Sequence, residues 1–157
     1  MSDAPESIRP ADPDTPEALG CLAAYFGMLA DRIPGLDPAT LVLPDPEAFK
    51  YRAPTGLFLL AQSKGRATGC IALAQLDPRT AEIKRLWVAP EARGRGLARR
   101  LMHRAGDEAR RMGYTALKLD TNAALTEALA LYAAEGWQPV EPYTDYPATH
   151  WFAKTLF

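Results

Sequence analysis

The chain has 157 residues, a formal net charge of −1, 48% hydrophobic residues and 24% charged residues. These values are ordinary for a globular protein and predict one domain over residues 1–157. A net charge so close to zero argues against a general nucleic-acid-binding or membrane-binding surface. The longest apolar run, residues 21–30, is about half the length that a membrane span needs.

The first residues are acidic and polar and lack the features of a signal peptide. Cys21 and Cys70 form no C-x-x-C pair. We therefore expect a cytoplasmic protein in which both thiols behave as small, buried, apolar groups.

The N-terminal third predicts an edge strand, a helix and an irregular segment. Residues 7–12 suit a short strand. Residues 14–33 have apolar side chains at helical spacing, with Asp14 or Thr15 as the N-cap and Pro16 in the first turn. Five prolines in residues 34–56 exclude a long helix and predict an irregular excursion with one or two short turns.

The middle of the chain predicts three strands followed by a helix. Residues 56–63, 66–76 and 81–88 are rich in strand-forming residues and are separated by turn sequences, which indicates antiparallel hairpins. Residues 94–113 change to helical spacing, with Gly113 as the C-cap. The apolar stripe of this helix consists of Leu97, Leu101, Met102, Ala105, Ala109 and Met112.

The C-terminal part predicts a strand over 114–120, a helix over 122–136 that stops at Gly136, and strands over 137–140 and 148–157. The second helix is expected to bury one face formed by Leu125, Ala128, Leu129, Tyr132 and Ala133. A meander followed by a βαβ-like section indicates an α+β fold with a mixed sheet.

The stretch "VAPEARGRGLARRLM", residues 88–102, joins a strand to a helix through two glycines. Unpaired N–H groups at a helix start bind anions, most often phosphate. Arg93, Arg95, Arg99 and Arg100 crowd this positive end of the helix dipole, where cations are normally unfavourable. The pattern therefore predicts a polyphosphate site, and the plain alternative is a solvated helix face.

Other phosphate-binding patterns fit poorly. The P-loop requires Gly-Lys-Ser/Thr, which the sequence lacks, and the G-x-G-x-x-G pattern has Arg99 at its third glycine. A nucleic-acid-binding module would need a basic domain with aromatic residues among the arginines, and neither is present.

The stretch resembles the central motif of the GCN5-related N-acetyltransferase (GNAT) superfamily, Arg/Gln-x-x-Gly-x-Gly/Ala, through Arg93, Gly96 and Ala98. The preceding "AEIKRLWVAP" is similar to the fourth strand of that family, and "TNAALTEALALYAAEGW" to its later Asn…Leu-Tyr-x-x-x-Gly-aromatic segment. The resemblance implies a GNAT-like, mostly antiparallel central sheet flanked by helices.

The resemblance also implies that acetyl-CoA is the acetyl donor. Carried over to this chain, the pyrophosphate is held by the amides of residues 94–98, and the end of the fourth strand pairs with the pantetheine amides. The implied cofactor-binding residues are Leu86, Trp87, Val88, Arg93, Gly94, Arg95, Gly96, Leu97, Ala98, Arg99 and Asn122. We expect no metal, because His103 and His150 lack partners at metal-ligand spacing.

For catalysis, the resemblance implies that a primary amine attacks the thioester directly. Glu82 matches the base of the histone-modifying branch, and Tyr132 matches the tyrosine that protonates the leaving thiolate. A backbone N–H near Val88 would polarise the thioester oxygen. The alternatives are that Glu82 is a strand charge paired with Lys84 or Arg85, and that Tyr132 is a core aromatic residue.

The predicted function is N-acetyl transfer to a small-molecule or peptide amine, and the alternative is a non-catalytic module that binds acyl-CoA. Acidic residues in and near segments 34–55 and 144–151 favour a cationic small amine. These residues are Asp37, Asp45, Glu47, Glu141 and Asp145. We expect neither a nucleic acid nor a membrane as partner, and we consider a homodimer as the assembly.

Overall fold

The computed structural model describes residues 6–157, and the expectation about the extreme N-terminus falls partly on residues 1–5, outside that range. Within residues 6–157 the chain forms seven strands and three α-helices, in the predicted order. The strands are β1 (Ser7–Pro10), β2 (Leu57–Ser63), β3 (Arg66–Asp77), β4 (Thr80–Val88), β5 (Ala116–Thr121), β6 (Gln138–Pro139) and β7 (His150–Thr155). The helices are α1 (Pro16–Arg32), α2 (Leu97–Arg111) and α3 (Thr126–Ala134).

The strands form a sheet in the order β1-β2-β3-β4-β5-β7-β6. Neighbours are antiparallel except β4 and β5, which are parallel and connected through α2. Lys64 and Gly65 between β2 and β3 both have positive φ, as a two-residue hairpin turn matched to strand twist requires. The predicted α+β fold with a mostly antiparallel sheet is confirmed.

Helices cover both faces of the sheet. On one face, α2 packs against side chains such as Leu59 and Ile71. On the other face, α1 and the 3₁₀ turn Ala48–Tyr51 pack against Phe58 and Leu60. Because β2 is covered on both sides, its apolar run is continuous rather than alternating.

Helix α1 begins as the sequence predicts. The Thr15 side chain accepts a hydrogen bond from the Ala18 N–H, and Pro16 occupies the first turn. Both Cys21 and Cys70 are buried, as expected of small apolar groups. The irregular excursion is also confirmed, with 3₁₀ turns at Pro38–Thr40 and Ala48–Tyr51.

The two later helices differ from the predictions in their limits. Helix α2 begins at Leu97 rather than at Gly94, because Gly94 and Gly96 adopt left-handed backbone angles that end the preceding loop. Helix α3 begins only at Thr126. Ala133 was expected on its buried face but is exposed. None of the helices in residues 6–157 is long and apolar enough to cross a bilayer.

Strands β4 and β5 pair over only three residue pairs, from Thr80–Ala116 to Glu82–Lys118. Beyond Glu82, β4 stays paired with β3, whereas β5 continues along β7. The sheet therefore opens into a fork whose two arms are the C-terminal halves of β4 and β5.

Strand β4 carries a bulge just beyond the start of the fork. Cys70 and Ala72 of β3, two positions apart, face Trp87 and Lys84 of β4, three positions apart. The extra residue of β4 lies next to Arg85, whose φ is +60°. The bulge thus changes the direction of the strand at the point where the fork opens.

Candidate active site

A cavity of about 460 Å³ lies in the fork. Its walls are the C-terminal half of α1, the end of β4, the loop before α2, the end of β5 and one side of α3. The size is in the usual range for a small-molecule site. We call the part nearest the start of the fork the acceptor end, which is lined by Tyr25, Lys84, Arg85, Asp120 and Asp145.

The glycine pair lies at the opposite end of the cavity. Gly94 and Gly96 have φ of +79° and +77°, and Gly96 is the N-cap of α2 without any side-chain cap. A Cβ added at either glycine would meet nothing within 4 Å, so the backbone angle rather than crowding calls for glycine. Gly94, Gly96, Leu97 and Ala98 line the cavity beside uncapped helix amides, which is an arrangement suited to an anion.

The arginines of this region divide into two groups. Arg93 and Arg99 line the cavity. Arg95 does not line the cavity, and its Nη2 lies 3.0 Å from Oε1 of Glu6, while Arg100 pairs with the other carboxylate oxygen of Glu6 at 3.6 Å. Glu6 is buried, so these two cations compensate a buried charge next to β1. Glu6 is about ninety positions away in the chain, so no local sequence pattern indicates it as the partner of these arginines.

The end of β4 forms one side wall of the cavity. Leu86, Trp87 and Val88 all line it. The carbonyl of Val88 accepts a hydrogen bond from Nε of Arg93, which ties the loop to the strand end. Because β5 has separated from β4 here, this strand edge has no β5 partner and faces the cavity.

Tyr132 of α3 is buried and lines the cavity between the two ends. Its ring packs against Trp137 and Phe152, with centroid distances of 6.0 and 5.8 Å. Burial, together with the nearby charge of Asp120, raises the pKa of Tyr132, so the phenol keeps its proton at neutral pH.

Asn122 also lines the cavity, but its amide holds two loops together. Nδ2 donates to the carbonyl of Pro147 at 2.7 Å, and Oδ1 accepts from the N–H of Ala124 at 2.8 Å. These bonds join the start of α3 to the segment before β7. A contact between Asn122 and a cofactor arm stays a prediction.

Glu82 lies behind the cavity wall and does not line it. Its Oε2 accepts a hydrogen bond from the Tyr143 hydroxyl at 2.9 Å, and its Oε1 is 3.9 Å from Nζ of Lys84. Burial raises the pKa of Glu82, and the charge of Lys84 and the Tyr143 bond offset only part of this effect. The pairing with Lys84 that the sequence offered as the alternative is thus present, and the base role stays a prediction.

The acidic residues of segment 34–55 are largely compensated. Asp45, whose side chain is 2% exposed, pairs with Nε of Arg85 at 2.9 Å. Glu47 pairs with Lys50, Lys84 and Arg85 at 2.9 to 3.1 Å. Burial by itself would raise the pKa of Glu47, but these cations lower it to about 2. These two carboxylates therefore lend little support to a cationic acceptor.

Arg85 ties the bulge of β4 to the segment of residues 34–55 through Asp45 and Glu47. Its guanidinium lies 5.3 Å from the ring centroid of Phe26 and 5.8 Å from that of Tyr51, in addition to its two ion pairs. Aromatic and carboxylate partners together satisfy this partly buried cation. The proline-rich sequence carried no periodic signal that would have indicated this contact.

Asp120, at the end of β5, was also missed. Leu117 and Leu119 point into the core, so alternation along β5 turns Lys118 and Asp120 to the opposite face. Asp120 lines the cavity, and its Oδ2 accepts a hydrogen bond from the Thr144 hydroxyl at 2.6 Å. A sequence signal for Asp120 was present in the alternating "ALKLD", because a polar side chain at the end of a strand is a common position for a binding-site residue.

The model of the acetyltransferase (GNAT) family matches residues 29–137. "IAA acetyltransferase" of Azospirillum brasilense is 38% identical over 103 residues, which cover 63% of this chain and 67% of that protein. An uncharacterized N-acetyltransferase of Schizosaccharomyces pombe is 37% identical over 100 residues, which cover 62% and 61%. The chain thus spans about two thirds of the length of these curated relatives. It belongs to the GNAT acetyltransferase family.

Solved structures show the same fold. A GNAT-family acetyltransferase of Staphylococcus aureus matches with a TM-score of 0.78 at 16% identity, over 96% of this chain and 100% of that one. N-acetylglutamate synthase of Neisseria gonorrhoeae, complexed with coenzyme A and N-acetyl-glutamate, matches with a TM-score of 0.71 at 21% identity. That match covers 99% of this chain and 36% of the synthase chain.

Proposed function

We propose that the protein transfers the acetyl group of acetyl-CoA to a primary amine by direct attack of the amine on the thioester. The observation that carries the proposal is a single cavity that extends from the glycine pair to the fork between β4 and β5. One end offers helix amides and arginines to a diphosphate. The other end offers polar and charged groups to an amine.

The donor set around the glycine pair fits the diphosphate of coenzyme A. The amides of residues 96–98, with Arg93 and Arg99, would hold the phosphates, since uncapped amides and guanidinium groups are the usual phosphate ligands. The edge of β4 at Leu86, Trp87 and Val88 would pair with the pantetheine amides, as an added strand does. When bound, acetyl-CoA supplies an acetyl group activated as a thioester.

The side chains of this chain handle the protons. An amine is protonated at neutral pH and must lose a proton before it attacks a carbonyl. Tyr132 is suited to protonate the departing sulfur, because it is buried, lines the cavity and retains its phenolic proton. A backbone N–H near Val88 would polarise the thioester oxygen. Direct transfer requires no covalent enzyme intermediate, only proximity of amine and thioester.

The acceptor that we propose is a small cationic amine, and a peptide amine is the broader alternative. With Asp45 and Glu47 compensated, the support comes from Asp120 and Asp145 in the cavity lining. Several expectations from the sequence stay predictions. They are the cytoplasmic location, the homodimer, the single domain, and the absence of nucleic-acid, membrane and metal partners.

Two measurements on the purified chain test the function. Isothermal calorimetry should detect acetyl-CoA binding, and a thiol-release assay should detect free coenzyme A when cationic, neutral and amino-acid amines are added. Binding without thiol release across the panel would favour the non-catalytic acyl-CoA-binding module. Absence of binding would refute the proposal as a whole.

A further inference from the structure

Three carboxylates lie near the acceptor end: Asp120 and Asp145 line the cavity, and Glu82 does not. Asp120 lines the cavity together with Tyr25 and Tyr132. Its charge contributes to the raised pKa of both tyrosines, although burial is the larger cause for each. Glu82 lies behind the cavity wall, and its carboxylate accepts a hydrogen bond from the Tyr143 hydroxyl.

A short hydrogen-bond chain orients the Asp120 carboxylate. Trp151 Nε1 donates to the Thr144 hydroxyl oxygen at 2.8 Å, and the same hydroxyl lies 2.6 Å from Oδ2 of Asp120. An indole N–H can only donate, so the hydroxyl accepts from Trp151 and directs its single proton to Asp120. Within residues 6–157 no hydrogen bond to the other oxygen, Oδ1, is formed.

The neighbouring cations have other partners. Lys84 pairs with Glu47 at 2.9 Å and with Glu82 at 3.9 Å. Arg85 pairs with Asp45 and Glu47. Asp120 forms no ion pair with either, so its charge is available to a ligand in the cavity.

We propose that Asp120, held by the Thr144 hydroxyl, is the carboxylate that binds the acceptor ammonium and takes its proton. This inference rests on the proposed function and assigns to Asp120 the base role predicted for Glu82. Asp120 is then a catalytic residue, and Thr144 is a positioning residue that acts through it.

The step balances as follows. One N–H bond of the ammonium breaks and its proton passes to Asp120, which later releases it to solvent. The amine nitrogen bonds to the acetyl carbon and the carbon–sulfur bond breaks. The sulfur takes the phenolic proton of Tyr132, which is replaced by a second proton from the nitrogen.

The test measures binding, so that it does not depend on turnover. The protein is saturated with coenzyme A and titrated with 1,4-diaminobutane in a calorimeter. The variants are Asp120→Asn, Glu82→Gln and, as a matched control, Asp107→Asn, which changes an α2 carboxylate outside this cavity that pairs with Arg110. We expect Asp120→Asn to weaken diamine binding at least about tenfold, because a charge-assisted hydrogen bond to the ammonium is lost, and the control to match the wild type.

Thr144 provides a second readout. Thr144→Val should weaken diamine binding and Thr144→Ser should restore it, because only the hydroxyl orients Asp120. Wild-type protein that binds coenzyme A but not the diamine, or Asp120→Asn that binds the diamine normally, would overturn the inference. Loss of diamine binding in Glu82→Gln alone would return the role to Glu82. Failure of the wild type to bind coenzyme A would instead refute the proposed function.

Discussion

Gly96 offers a direct measure of the charge that the loop before α2 binds. We compare Gly96→Glu with Gly96→Gln, which adds the same bulk without a charge. Both variants pay about 1–2 kcal/mol for an L-residue at a φ of +77°. A Cβ at this position meets nothing within 4 Å, so both variants should fold.

The charge is what separates the two variants. A carboxylate about 5 Å from one phosphate charge, at an effective dielectric constant of about 20, costs about 3 kcal/mol. That energy corresponds to a Kd for acetyl-CoA about a hundredfold weaker in Gly96→Glu than in Gly96→Gln. Because the Debye length falls to about 3 Å in 1 M salt, the difference should shrink there.

Calorimetry with acetyl-CoA at about 0.05 M and 1 M NaCl, with urea unfolding as the control for folding, measures both effects. Equal affinities of the two variants at low salt would contradict the view that this loop holds the diphosphate. A loss of affinity that both variants share at either salt concentration would point to shape rather than charge.

Three further predictions concern the interior of the site. Tyr132→Phe should lower kcat about 10²-fold while the Kd of acetyl-CoA stays unchanged, because only the phenolic proton is lost; an unchanged kcat in the thiol-release assay would remove Tyr132 from the mechanism. Arg85→Met should lower the free energy of unfolding in urea by about 3–5 kcal/mol, since the buried Asp45 carboxylate loses its partner. Adding Asp45→Asn should recover about 1–3 kcal/mol, and strictly additive effects would count against the pair. The pKa of Glu47 is lowered from 4.5 to about 2, so its stabilising effect is present above pH 4.5 and is lost as the pH falls towards 2. Glu47→Gln should therefore cost about 1–2 kcal/mol at pH 7, after allowance for solvent screening, and the gap should close near pH 2 in urea titrations; a gap that does not change with pH would contradict the assignment.

Local signals in the sequence predicted most of the secondary structure. Thr15 and Pro16 marked the start of α1, and the turn at Lys64 and Gly65 marked the first hairpin. These signals act over a few residues, so a single sequence contains them. The glycine pair before α2 was equally local, and it indicated the end of the cavity at which we propose that the diphosphate binds.

The parts that the sequence did not predict depend on contacts between distant residues. Glu6 pairs with Arg95, and Asp45 pairs with Arg85. These partners are far apart in the chain, so the periodicity of the sequence does not indicate them. The prediction of the buried face of α3 was also partly wrong, because Leu131 faces the cavity while Ala133 is exposed. A cavity edge and a core face look alike in a pattern of apolar residues, since both favour leucine and alanine.

The extra residue in β4 has a consequence for how this strand tolerates change. Upstream of it, Ala81 and Ile83 are fixed by alternation against the core. Deleting Arg85 would leave Leu86 alone opposite Ile71 and Trp87 still opposite Cys70, so it would remove the bulge and with it the change of strand direction where the fork opens. Evolution of this site is therefore free to exchange side chains along β4 but is constrained in their number, so insertions and deletions should be rarer here than substitutions.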